Sequence, residues 1–131
     1  MAERGREDPE LWGATLPSST ASVGAARHFT QDALRGMGSP QLEEAATLLV
    51  SELATNAVLH AHSRLRLSVF AHDGMVRIEV RDDDPTRPHT VEPDPMRPGG
   101  RGIMLVDLLS SDWGVNGNEL GKTVWFELPA A

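Results

Sequence analysis

Apolar residues recur at helical spacing through Val23, Ala26, Phe29, Ala33 and Leu34, between a Ser18, Ser19, Thr20 cluster and the glycines at 36 and 38. Hydroxyl side chains accept hydrogen bonds from the free N–H groups of a first turn and glycine favours a helix end, so this stretch predicts a first helix. Pro40 suits the first turn of a second helix, in which Leu42, Ala46, Leu49, Leu53 and Ala57 form a continuous apolar stripe. On its flank, at i+4 spacing, runs a second row of Leu48, Glu52, Asn56 and His60. A carboxylate beside buried leucines loses hydration, a cost that demands a compensating partner or a function.

The period then changes from that of a helix to that of a strand. Leu65, Leu67 and Val69 and then Val76, Ile78 and Val80 alternate with polar residues around Asp73-Gly74, which predicts a hairpin closed by a type I′ turn, with one wet face. Its dry face needs a cover, and the two amphipathic helices before it can supply one. "LWGATL", Leu11 to Leu16, reads as a short edge strand ahead of Pro17, and residues 1 to about 10 as a frayed tail. From about 83 to 100 there is no periodicity, but there are five of the nine prolines, the pattern of a functional lid in a compact domain. Glycines then precede an apolar helix from about Ile103 to Leu109, and Trp113, Val115, Val124, Phe126 and Leu128 predict a closing hairpin around "NGNELG". The expected architecture is one α/β (α+β) domain over 11–131: a two-layer sandwich with a mixed, mostly antiparallel sheet covered on one face by helices.

Composition narrows the choice of partner. At 131 residues, 40% hydrophobic and 24% charged, the chain can bury a real core, while its net charge of -7 and lack of a basic stripe argue against nucleic acid. There is no cysteine, hence neither disulfide nor thiolate metal site. The polar, acidic start "MAERGREDPELWG" and the short aliphatic run Ala45 to Val50 give no membrane segment, so a soluble cytoplasmic protein is expected. Lys122 is the single lysine beside eleven arginines, a bias from which no function is read.

Two familiar motifs fail on spacing. "GNELGKT", Gly117 to Thr123, has three residues between its glycines where a phosphate loop has four, and it precedes a strand pattern rather than a helix. The histidines at 60, 62, 72 and 89 lack matching carboxylates, so zinc is not expected. What remains is a set of separated pieces, each with an ordinary structural explanation when taken alone. Glu52 and Asn56, four apart on a helix, bring a carboxylate and an amide oxygen together, as a general base beside a hard cation requires. Asp82 ends a strand, where a carboxylate can accept a hydrogen bond from an exocyclic amine. "GGRG", Gly99 to Gly102, frees N–H groups at a helix start for an anion.

In order, "ELATNAVLHA", "VRDDDP", the proline-rich lid, "GRGIMLV" and "GKTVWFEL" resemble the Bergerat-fold, or GHKL, ATPase superfamily, and within it the stand-alone anti-sigma-factor serine/threonine kinases. The resemblance covers about Leu16 to Leu128. It implies ATP and Mg²⁺ as cofactors, with Glu52 as the base that deprotonates a serine hydroxyl or water and Asn56 as the Mg²⁺ ligand. Asp82 would bind the adenine amino group, Thr123 would sit near adenine, and Gly100 and Gly102 would let lid and helix approach the triphosphate. His60 matches the family's helix end. Arg97 and Arg101 flank the glycine pair and are candidates for the γ-phosphate, since phosphoryl transfer rests on positioning and charge neutralisation. Asp83, Asp84 and Pro85 depart from the glycines that the family carries around Asp82. The implied partners are a sigma factor and a serine-bearing antagonist protein, and the implied assembly a homodimer. Two alternatives stay open: an ATP-binding regulatory module that acts only by docking, and a detached histidine-kinase catalytic domain.

Overall fold

The computed structural model describes residues 3–4, 11–85 and 102–130. The apolar stripes become the faces they predict. Helix α1, Ala21–Gly36, buries Ala26, Phe29, Ala33 and Leu34, and α2, Glu43–Thr55, buries Ala46, Leu49, Val50, Leu53 and Ala54. The Ser-Ser-Thr cluster works through its neighbours rather than as a simple cap. Ser19 Oγ accepts the Ala21 N–H at 3.3 Å, and Ser22 Oγ donates to Pro17 O at 2.6 Å. Pro40 starts a single 3₁₀ turn, Pro40–Leu42, before α2 proper.

Six strands form one sheet in the order β1-β2-β3-β4-β6-β5, and every pairing among the described residues is antiparallel. They are β1 (Glu3–Arg4), β2 (Trp12–Leu16), β3 (Leu65–His72), β4 (Met75–Asp82), β5 (Asp112–Asn118) and β6 (Gly121–Pro129). Helix α3, Gly102–Leu109, precedes β5. The β3–β4 turn has positive φ at both Asp73 (48°) and Gly74 (77°), as a type I′ turn requires. Strand β2 is not outermost: Glu3 and Arg4, inside the stretch read as a tail, pair with Gly13 and Trp12.

Alternation decides the layers. Leu65, Leu67 and Val69 of β3, Val76, Ile78 and Val80 of β4 and Val124, Phe126 and Leu128 of β6 all point to the helices and are buried. Each such side chain contributes about 1.5–3 kcal/mol through burial. The opposite face stays polar. There the Arg77 guanidinium lies 3.9 Å from the Trp125 ring centroid and donates to Glu79 at 2.9 Å. The α/β sandwich with its helix-covered sheet is therefore the observed fold. No described helix is long and apolar enough to cross a membrane.

Candidate functional site

Glu52 sits on α2 with 6% of its surface exposed. The neighbouring hydroxyls of Thr47, Ser51 and Thr55 each donate to a carbonyl four residues back, at 2.6, 2.7 and 2.7 Å. One turn on, Asn56 is half-buried where α2 widens into a π-helical turn, Asn56–His60. Its backbone is fully committed: the N–H reaches Glu52 O and Leu53 O, and the carbonyl accepts the Ala61 N–H at 3.0 Å. Only the side-chain amide is left for a ligand. Wide turns of this kind often mark functional sites, because they re-aim side chains at the cost of regular bonding.

Ser63 links this helix end to the end of β4. Its N–H donates to Ala57 O at 2.9 Å, its hydroxyl donates to Arg64 O, and the same Oγ accepts the Asp83 N–H at 2.8 Å. Glu52 and Asn56 on one side and Asp82 on the other are thereby carried to the same end of the molecule. Helix α3 packs against α2, with Ile103 and Val106 buried, and Gly102 is its first residue.

Asp82 is 7% exposed and points to the helix side of the sheet, in register with Lys122 of β6. The Lys122 ammonium lies 2.9 Å from Asp82 Oδ2 and 3.1 Å from Oδ1, and 3.2 Å from Asp84 O. Asp82 Oδ1 also accepts the Asp84 N–H at 2.9 Å. Asp83 turns elsewhere, to Arg64 Nε at 3.0 Å. Gly121 lets β6 come this close, since a Cβ there would overlap Asp82 O.

Thr123 is not brought to this group. It pairs with Arg81, one residue out of phase with Asp82, so its side chain lies on the open face, where Arg81 Nη1 approaches its hydroxyl at 3.5 Å. The resemblance grouped Thr123 with Asp82 near adenine, and alternation places Lys122 against Asp82 instead. Gly100, Arg101 and Arg97, with most of the expected lid, lie outside the described residues, as does the His60 side chain. Lys122, Ser63 and Gly121 were missed by reading the sequence. The signal for Lys122 was present: it shares its parity with Val124, Phe126 and Leu128, as Asp82 does with Val76, Ile78 and Val80.

Among the described residues there is no group of three His, Cys, Asp or Glu side chains able to hold a metal ion. The Asn56 amide, one turn after the Glu52 carboxylate, would supply the one or two protein oxygens by which a magnesium ion carried largely by nucleotide phosphates is held.

The profile of the histidine kinase-like ATPase domain matches residues 16–128. This chain belongs to that family. As a histidine kinase-like ATPase domain it is an ATP-binding, kinase-like module, and the GHKL resemblance is borne out. No curated protein matches it. Among solved structures it is similar to the RsbU and RsbW domains of Rv1364c from Mycobacterium tuberculosis, with TM-score 0.71 and 17% identity over 91% of this chain and 32% of that one. It is also similar to the Erythrobacter litoralis EL346 blue-light activated histidine kinase, with TM-score 0.53 and 26% identity over 70% of this chain and 31% of that one. The separate histidine kinase domain of the latter gives TM-score 0.52 and 27% identity over 70% and 46% of the two chains. The chain thus spans less than half the length of each of these three solved chains.

Proposed function

We propose that this protein is an ATP- and Mg²⁺-dependent serine/threonine protein kinase, acting as an anti-sigma-type transcription regulator by partner switching. The observation that carries the reading is the buried Glu52, one helical turn before an Asn56 whose side-chain amide is its only uncommitted polar group. Glu52 takes the proton of an incoming serine hydroxyl. The oxygen then bonds to the γ-phosphorus as the bond to the β,γ-bridging oxygen breaks, and ADP departs with that electron pair. Asn56 offers its amide oxygen to Mg²⁺, which when bound with ATP offsets phosphate charge. Asp82 accepts a hydrogen bond from the exocyclic amine of the base. By resemblance, Gly100 and Gly102 would be the glycines that admit the triphosphate, and Arg101 a candidate charge for it.

The partners in this reading are a sigma factor and an antagonist protein bearing the target serine, met in the cytoplasm by a homodimer. Incubation with labelled ATP, Mg²⁺ and a candidate antagonist is the direct test. The expected product carries phosphate on serine, and a mixture in which the antagonist binds but is never labelled leaves the docking module as the answer. Likeness to a histidine kinase at 26–27% identity favours one further reading, a catalytic domain whose acceptor histidine lies on another polypeptide. Acid treatment separates the two, because phosphoserine survives it and phosphohistidine does not.

A further inference from the structure

Outside the site described above, positive charge gathers on the open face of the sheet, where β3 begins and β4 stops. A hollow of about 360 Å³ there has Thr15, Arg64, Arg66, Arg81, Asp83 and Leu120 in its lining, a volume within the range of small-molecule sites. It is separate from the Asp82–Lys122 pair, which points to the helix layer, because successive residues of a strand face opposite ways. In the sheet register Arg66 stands directly opposite Arg81, with Thr15 and Thr123 at the two outer positions of the row.

Like charges directly opposite on neighbouring strands destabilise a sheet. Elsewhere on this face that cost is avoided: Arg77, on the same strand, is neutralised by Glu79 at 2.9 Å and Glu127 at 3.5 Å. Among the described residues, Arg81 has only the Thr123 hydroxyl, at 3.5 Å, and Arg66 has no hydrogen bond or ion pair. Arg64 is matched by Asp83 at 3.0 Å. Three guanidinium groups thus face one carboxylate, and the excess of positive charge lies in a chain of net charge -7. A guanidinium presents its N–H groups as a planar fork that fits phosphate oxygens, and a phosphate monoester carries about two negative charges at neutral pH. Two unmatched forks side by side therefore fit one phosphate dianion better than one carboxylate. The Thr15 and Thr123 hydroxyls flank them as further donors, and Leu120, 74% exposed, is an apolar wall for an organic group. We propose that this hollow is a second binding site, for a dianionic phosphate group carried by a small organic molecule or free in solution. The inference does not depend on the ATP reading.

The test is a two-dimensional NMR titration of the isotope-labelled full chain at about 0.15 M salt, where non-specific attraction between exposed charges is screened. The probes are O-phosphoserine, serine and inorganic phosphate. O-Phosphoserine should saturate with a dissociation constant of about 1 mM or below, as two charge-assisted hydrogen bonds allow, and should shift the Thr15, Arg66, Arg81 and Thr123 signals. Serine should bind at least about tenfold more weakly, and Arg66→Gln and Arg81→Gln should each weaken O-phosphoserine by about tenfold or more. Tighter binding of O-phosphoserine than of inorganic phosphate makes an organic phosphate the ligand, and equal binding makes it the free anion. Absence of saturation in the wild type, or shifts confined to the helix side of the sheet, overturns the inference without reference to any variant. Affinity unmoved in both folded variants overturns it too. Without ligand, Arg66→Gln should raise the urea midpoint by relieving the opposed charges, and a lowered midpoint would give Arg66 a structural partner and sink the proposal.

Discussion

In the proposed reading Glu52 is the general base, and it sits where burial strips a carboxylate of water. It is 6% exposed on α2. Glu52→Gln keeps shape and volume but removes the proton acceptor, so phosphotransfer should fall by about 10²–10⁴-fold while ATP affinity holds. Single-turnover rates alongside calorimetry check both halves, and an unchanged rate excludes Glu52 from the chemistry. Asp82 behaves differently, because it is also half of a buried ion pair. Asp82→Asn should weaken ATP and, by leaving the Lys122 ammonium without its counter-charge, destabilise the fold by about 3–5 kcal/mol. Urea unfolding with unchanged m-value would show it, and an unmoved midpoint would mean that the pair carries no weight in the fold.

At the level of elements, the site is made where regular structure ends. Helix α2 widens at Asn56, β4 stops at Asp82, and Ser63 ties the two ends through the Asp83 N–H. The β4–β6 register then chooses which residue of "GKTV" meets the carboxylate, and the choice turns on Gly121. A methyl group there would overlap Asp82 O, forcing β6 away from β4 at the point where Lys122 enters. Gly121→Ala should therefore cost about 1–3 kcal/mol, the range for overpacking, and reduce nucleotide affinity with it. A thermal melt within 1 °C of wild type would show that β6 tolerates the side chain.

Across the molecule, one sheet face carries the helices and the other is open, so adjacent residues on β4 should differ sharply in their weight. Ile78 is fully buried against the helical layer, whereas Glu79 lies on the open face, bonded to Arg77 at 2.9 Å. Ile78→Ala should destabilise by about 2–5 kcal/mol. Glu79→Ala should change stability by no more than about 1 kcal/mol, the usual range for a surface ion pair. Equal losses in denaturant titration would mean that both faces are covered, as by a partner subunit on the polar face. The open face also holds Thr123, and for that reason Thr123→Val should leave nucleotide affinity unchanged by calorimetry, while a tenfold loss would return the hydroxyl to the base site.

The elements were legible in the sequence because burial has a period. Val23 to Leu34 and Leu42 to Ala57 repeat as a helix repeats, Leu65 to Val80 as a strand does, and Asp73-Gly74 announces its turn, so each local choice could be read without knowing what lay opposite. The pairing of Glu52 with Asn56 was readable for the same reason, since four residues along a helix is a local distance. The partner of Asp82 was not local. It lies 40 positions away, and only the register of β4 against β6 puts Lys122 rather than Thr123 on the helix side. A shift of one residue reverses every side chain of a strand, and nothing in either strand alone states that shift. The sequence by itself determined which segments are helix or strand and which faces are dry. The tertiary structure decided which charges meet, because hydrophobic burial constrains a face while an ion pair needs a position.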